Sequence, residues 1–345
     1  MSGKLNEKKR EPSSRRRCWF FLAASFLLLT VGAAAWISWL LGPTGASAIV
    51  EIPKGAGART VGRILQNSGL LRSASAFAAY ARWRGLSSKI HSGYYKLDGE
   101  GVPALLDDLA GGKAPVMIRL LFPEGWRAVD YAKRLNEAGF DGAGFLRIVE
   151  HPPAEWTPPY VAGPSLEGYL FPDTYDLPKG ASPEVIVAVM LRRFAREVTP
   201  KREEAARKLK LTVHEWVTLA SLVQAEAGSE QEMPWIAGVF LNRLDAGMML
   251  QSDPTVAYAL GKKPQELDRR AGDFDVDAPY NTYKKPGLPP GPICNPGAAA
   301  LLAVLHAERL GKNGLPYFYF FHAGGKLYLS STFSEHLRKL NKHFY

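Results

Sequence analysis

The spacing of apolar and polar positions divides the chain into segments with different periods. Residues 18–41 contain no charged side chain at all. At about 1.5 Å rise per residue, a helix of this length crosses a hydrocarbon core of roughly 30 Å. A strand-like run follows at residues 48–52, then a turn at Pro53 and Gly55. Residues 59–71 have helical periodicity, with Val61, Ile64 and Leu65 on one face and Gly69 as the stop. Ser73 is placed to cap a second helix carrying Phe77, Tyr80 and Trp83, closed by Gly85. Residues 91–113 read as a short strand with Tyr94 and Tyr95 on opposite faces, a turn, and a helix over 102–109. Pro53, Gly55, Ala58, Leu65 and Gly69 recur as Pro123, Gly125, Ala128, Leu135 and Gly139, an offset of seventy residues. Two similar strand–turn–helix units are expected, too few copies for a solenoid.

The later chain alternates helices with loops rich in Pro and Gly. Its clearest helix covers residues 212–227. Thr212 and Glu215 have capping-box spacing, Leu211 and Trp216 could staple the first turn, and Gly228 is a candidate stop. Trp216, Leu219, Ala220, Val223, Glu226 and Ala227 share one face. A terminal hairpin is expected from residues 317–321 and 327–331, around a loop of residues 322–326. Helices and strands without regular alternation predict an α+β fold.

Charge alters the reading of the first segment. The net charge of +10 is half concentrated in the first seventeen residues, where seven basic side chains face two acidic ones. No other Lys/Arg run suggests nucleic-acid binding, so the basicity is chiefly a topology signal. Trp19, Trp36 and Trp39 sit near the ends of the apolar stretch as interfacial anchors. The expectation is a basic cytoplasmic tail (1–17), one retained transmembrane helix (18–41) and a periplasmic remainder on the cytoplasmic (inner) membrane. Ala46-Ser47-Ala48 resembles a signal-peptidase site, but a signal peptide's apolar core is typically about 7–15 residues. Cys18 and Cys294 fall on opposite sides of that topology, so no internal disulfide is expected. The seven histidines lack metal-ligand spacing, and no metal site is expected.

Candidate chemistry lies in four segments. Glu226 continues an apolar stripe at a helix C-terminus, where burial and the helix dipole both disfavour its charged form. A protonated carboxyl near neutral pH is what a glycosidase-type general acid requires. A Glu at an exposed, frayed helix end is the ordinary alternative and stays open on pattern alone. Residues 279–297 form a Pro/Gly-dense loop in which Tyr280, Asn281, Thr282 and Tyr283 offer aromatic faces and hydrogen-bonding groups suited to sugars. Residues 167–175 carry Glu167 and Asp173 among aromatics. Residues 250–256 carry Gln251 and Asp253, the latter a candidate cap for the next helix. Nucleophile-elbow and phosphate-loop patterns are absent.

Taken in order, EGYLFPDTY (167–175), ASLVQAEAG (220–228), GVFLNRL (238–244), LQSDPTVAYAL (250–260), PYNTY (279–283), GLPPGPICNPG (287–297) and YFYF (317–320) resemble the endolytic murein transglycosylase, or YceG-like, family. The resemblance covers essentially the whole chain. It implies a LysM-like, peptidoglycan-binding module in residues 49–118 and a catalytic domain in residues 119–345. It also implies that Glu226 is the catalytic acid, with Tyr280, Asn281, Thr282, Tyr283, Gln251, Asp253 and Glu167 as substrate-binding candidates. Many relatives carry an additional acid where this chain has Gln224. Relatives often carry a His near the position of Leu327, so the hairpin is given no catalytic role.

The implied reaction cuts the bond between N-acetylmuramic acid and N-acetylglucosamine in nascent peptidoglycan. It leaves a 1,6-anhydro end and needs no metal or organic cofactor. The implied partners are glycan strands, the cytoplasmic membrane and peptidoglycan synthases. Two other readings remain at this point: a hydrolytic muramidase pairing Glu226 with Asp173 or Asp253, and a non-catalytic peptidoglycan-binding scaffold.

Overall fold

A computed structural model describes residues 14–112 and 115–344. The chain forms two compact units, one through Val116 and the other Met117–Tyr345. Residues 1–13 of the basic tail, and Lys113 at the end of the expected module pattern, lie outside the described residues.

The first unit begins with α1 (Ser14–Leu41), whose 21 residues Phe21–Leu41 are long and apolar enough to cross a membrane. Its large side chains, Phe26, Leu29 and Trp36 among them, are exposed along its length. Next come β1 (Ser47–Ile52), α2 (Ala58–Asn67), α3 (Ala74–Trp83), β2 (Gly93–Asp98) and α4 (Val102–Asp107). β1 and β2 pair antiparallel in the register Ser47↔Asp98 to Ile52↔Gly93, with the two helices between them in sequence. Alternation along the strands puts Val50, Ile52, Tyr95 and Leu97 into a core with Val61, Leu65, Phe77 and Leu106. Tyr94, on the opposite face from Tyr95, hydrogen-bonds Glu51 at 2.7 Å. The Ala-x-Ala sequence runs into this sheet. Gly99 N donates to Ala46 O, and Ser47 and Ala48 are already ladder residues.

The second unit contains β3 (Met117–Leu121), α5 (Ala128–Glu137), α6 (Gly142–Glu150), β4 (Thr174–Pro178), α7 (Pro183–Phe194), α8 (Pro200–Lys208), α9 (Val213–Glu226), α10 (Met233–Asp245), α11 (Asp253–Leu260), α12 (Ala298–Leu305), β5 (Tyr319–Ala323), β6 (Lys326–Ser330) and α13 (Phe333–Phe344). β3 pairs with β4 antiparallel, Met117↔Pro178 to Leu121↔Thr174. A large core collects Phe122, Tyr131 and Leu135 with Tyr169, Phe194, Trp216, Leu219, Phe240 and Leu301.

The seventy-residue repeat is visible in three dimensions. α2 and α5 start at Ala58 and Ala128, and each follows a strand and a P-x-G turn. Gly55 and Gly125 sit at φ +78 and +76, where only glycine is unstrained. Gly69 and Gly139 close the helices with matching bonds, to Gln66 O and Asn136 O.

The terminal hairpin differs from the expectation in register. Its turn is the pair Gly324–Gly325, both with positive φ, and Ala323 pairs with Lys326 across it. Two consecutive glycines supply the left-handed conformations of a tight two-residue turn. His322 therefore belongs to β5, opposite Leu327, not to a five-residue loop.

Candidate active site

α9 is positioned by its own sequence. Thr212 accepts from Glu215 N while Glu215 returns a bond to Thr212 N, completing the expected capping box. Residues 216–223 are buried without exception, and Trp216 Nε1 donates to Leu301 O at 2.8 Å. The helix ends at Glu226. Ala227 turns extended, at φ −74 and ψ 132, so the chain leaves α9 one residue before the expected glycine stop.

Glu226 keeps some exposed surface, yet its carboxyl is crowded by protein, and that desolvation lifts it to about 7. Asp253 pushes in the same direction, while a bond from Ser252 and the charge of Arg243 oppose it. Ser252 Oγ donates to Glu226 Oε1 at 2.6 Å. Oε2 has no hydrogen-bond partner among the described residues and remains available to a substrate oxygen.

Ser252 is the N-cap of α11, the place expected for Asp253, which is instead the first residue of the helix. An N-cap serine ordinarily accepts a backbone bond from its own helix. Here the hydroxyl makes no such bond and points at the acid. It is held from behind. Ser252 N donates to Thr282 Oγ1 at 3.0 Å, Thr255 Oγ1 meets Thr282 Oγ1 at 2.8 Å, and Thr255 Oγ1 donates to Ser252 O at 2.6 Å. Gln251, immediately before, adopts φ +53, an uncommon conformation for a side-chain-bearing residue. Arg243 stabilises this bend by donating to the carbonyls of Met249 at 3.2 Å, Leu250 at 2.8 Å and Phe318 at 2.6 Å.

The substrate-binding candidates separate into two groups. Asp253, next to Ser252 in the chain, meets Tyr283, and Gln251 precedes Ser252 with its side chain toward Arg243. Tyr283 donates to Asp253 Oδ1 at 2.5 Å, and the Arg269 guanidinium lies over the Phe274 ring at 3.7 Å and bonds the Tyr283 hydroxyl at 3.2 Å. Gln251 is exposed. Asn281, Thr282 and Glu167, by contrast, are buried. Asn281 Nδ2 donates to Phe274 O and Val276 O, and its Oδ1 accepts from Tyr283 N, so the amide closes the loop on itself. Thr282 supports Ser252 from below. Glu167 accepts from Ala128 N through both oxygens, at 3.0 Å, and from Asn295 Nδ2 at 2.9 Å. Burial also lifts Glu167 to about 7. Tyr280 is half-buried, its ring 4.8 Å from that of Tyr258. Asp173 is bound to Arg193 at 2.7 Å on the α7 side.

Sequence reasoning missed Ser252, Thr255, Arg243 and Arg269. The adjacency of two hydroxyls to the S-D-P-T turn was a signal for Ser252 and Thr255. Nothing local marks Arg243 or Arg269. His322 also enters the neighbourhood: its Nε2 is 3.1 Å from Glu232 Oε2, which accepts from Gly228 N at 3.0 Å. The hairpin thereby fixes the chain two residues beyond Glu226.

Residues 50–342 match the model of the YceG-like family. The chain belongs to the YceG-like family. An endolytic murein transglycosylase of Bacillus subtilis (strain 168) is 31% identical over 311 residues, covering 85% of this chain and 84% of that protein. One of Streptococcus pneumoniae (serotype 2, strain D39) is 30% identical over 323 residues, and the match spans 58% of its length. The crystal structure of a YceG-like protein from Listeria monocytogenes superposes with a TM-score of 0.56 at 31% identity, over 85% of this chain and 98% of that one. The YceG-like match runs through both units, from β1 to α13.

Proposed function

We propose that this protein is an endolytic murein transglycosylase, a lyase that cuts peptidoglycan glycan strands, with Glu226 as its single acid–base group. The observation that carries the assignment to Glu226 is its carboxyl at the end of a buried helix, lifted to about 7 and oriented by Ser252. A carboxyl with that affinity is half-protonated near neutrality, able to donate a proton and then retake one.

In the first step Glu226 protonates the glycosidic oxygen leaving N-acetylmuramic acid. The substrate's own N-acetyl oxygen carries the developing positive charge at C1. The carboxylate so formed is stabilised by the Ser252 hydroxyl and the Arg243 charge. It then accepts the proton of the muramic 6-hydroxyl as that oxygen closes on C1, giving the 1,6-anhydro end. No water is activated on the opposite face, so a second catalytic carboxylate is not required, unlike the paired carboxylates of glycoside hydrolases. Tyr283, Asp253 and Gln251 line the approach to Glu226 and contact the sugars.

α1 anchors the enzyme in the cytoplasmic membrane, with the basic tail inside and the remainder in the periplasm. The strand–helix–helix–strand order of the first unit supports a LysM-like, peptidoglycan-binding role for it. Glycan strands extended by peptidoglycan synthases are the substrate, and their cleavage would end strand growth.

Mass spectrometry of fragments released from purified sacculi tests the reaction. Anhydro ends, lighter by one water than reducing ends, support it. Reducing ends would make the enzyme a hydrolase, with Asp253 the nearest candidate for a second carboxylate.

A further inference from the structure

Beside the last turn of α9 the surface opens into a cavity of about 230 Å³. Ala225 forms part of its wall, one residue before Glu226. Pro254, Ala257 and Tyr258 of α11 form another part, and the remaining wall brings Arg127, Lys262 and Lys263 together with Asp130. The charges in this wall are not equivalent. Lys262 is committed to Asp273 through two 2.7 Å bonds. Asp130 caps α5 by accepting from Arg127 N at 3.0 Å. The buried carboxylate whose charge senses Arg127 is Glu167, and both its oxygens are already taken by Ala128 N and Asn295 Nδ2. What remains is the Arg127 guanidinium, half-buried and set over the Tyr258 ring at 6.0 Å, and the exposed Lys263 ammonium. Neither has a carboxylate within ion-pair distance among the described residues.

In a peptide-bearing glycan strand the lactyl carboxyl of each muramic acid is consumed in an amide to its peptide. The strand's negative charge sits on the carboxylates of the peptides that hang from the lactyl ether of each muramic acid, a few bonds from the ring that Glu226 attacks. We propose that the Arg127–Lys263 cavity is an anion subsite that takes a carboxylate of the muramyl peptide, so that the enzyme distinguishes strands whose peptides carry free carboxylates from strands whose peptides are neutral. This rests on the glycan-cleaving function proposed above. Arg127 supplies the forked donors that match a carboxylate in pairs. The cation is held against an aromatic ring and beside a crowded wall, where an ion pair is screened less than on open surface.

The test is binding, measured separately from turnover. Full-length protein carrying Glu226→Gln, in detergent micelles, is titrated with soluble glycan strands that retain their peptides, and with the same strands after their peptide carboxylates have been converted to neutral amides. Strands with free peptide carboxylates are expected to bind about tenfold more tightly. Adding Arg127→Gln and Lys263→Gln together should remove most of that ratio. Lys263→Gln alone, at an exposed position that leaves packing intact, should remove about a third to a half of it on a logarithmic scale. Raising the salt concentration should shrink the ratio in the unaltered cavity but not in the double variant. Equal affinity for the two strands would overturn the subsite, as would an equal loss on both strands in the double variant with the ratio preserved. Absence of strand cleavage by the native enzyme would refute the proposed reaction and leave this binding result readable on its own.

Discussion

Replacing Glu226 by Gln separates the chemistry of the carboxyl from its cost to the fold. The substitution keeps the size of the side chain and an oxygen able to accept from Ser252 Oγ, which lies 2.6 Å from Oε1. It removes only ionisation. The carboxyl titrates near 7 in the folded protein, against an ordinary 4.5. The folded pKa is the higher one, so between about 4.5 and 7 the folded state holds a proton that the unfolded state has released. Glu226 therefore imposes no penalty below pH 4.5, an increasing one through the window, and the full one above pH 7. The full penalty is about 3.5 kcal/mol at most, taking about 1.4 kcal/mol for each tenfold change in proton affinity. Glu226→Gln is accordingly expected to melt with the native protein at pH 4 and several degrees above it at pH 8. Calorimetry of native and variant protein across this range makes the comparison, with Glu167, which titrates in the same window, common to both. Release of anhydro fragments should fall by about 10²–10⁴-fold or more. A variant that loses activity but gains no stability at pH 8 would refute the desolvated environment. One that gains stability but keeps its activity would refute the catalytic assignment.

Three other outcomes are expected. Ser252→Ala removes the bond that favours the ionised carboxyl, so the pH–rate profile of strand cleavage should move upward, by about one pH unit or less, with reduced turnover. Glu167→Ala strands Ala128 N in the interior and leaves Asn295 Nδ2 only its bond to Trp126 O, which should lower stability by about 2–4 kcal/mol by urea denaturation while the folded fraction retains its turnover. The protein recovered from membranes should keep its first 48 residues by N-terminal sequencing, because removal after Ala48 would strip Ser47 and Ala48 from the β1–β2 ladder and Ala46 O from Gly99 N.

What was legible in the sequence was whatever a few neighbouring residues decide. The capping box at Thr212 and Glu215, the glycine stops at Gly69 and Gly139, and the span of α1 each follow from local rules, and each is found where it was expected. The acid was legible as a polar interruption of an apolar stripe. Its surroundings were not, because they come from distant parts of the chain: Ser252 from the start of α11, Thr282 from the loop after it, Arg243 from α10. The β3–β4 pairing joins segments more than fifty residues apart and leaves no mark on either strand's pattern. Asn281 shows the converse. A polar residue in a polar loop looks available for ligand, yet its amide is consumed by three bonds to the loop's own backbone. Sequence gives the chemical type of such a group but not whether its donors are already spent.

The two P-x-G turns have the same backbone but different freedom to diverge. A side chain added at Gly55 would meet open space, whereas one added at Gly125 would reach Gln224 of α9 at 3.5 Å. The positive φ strains a side-chain-bearing residue at either turn, so the two differ only in the space around them. At the second turn an added side chain would come into van der Waals contact with Gln224, two residues before Glu226.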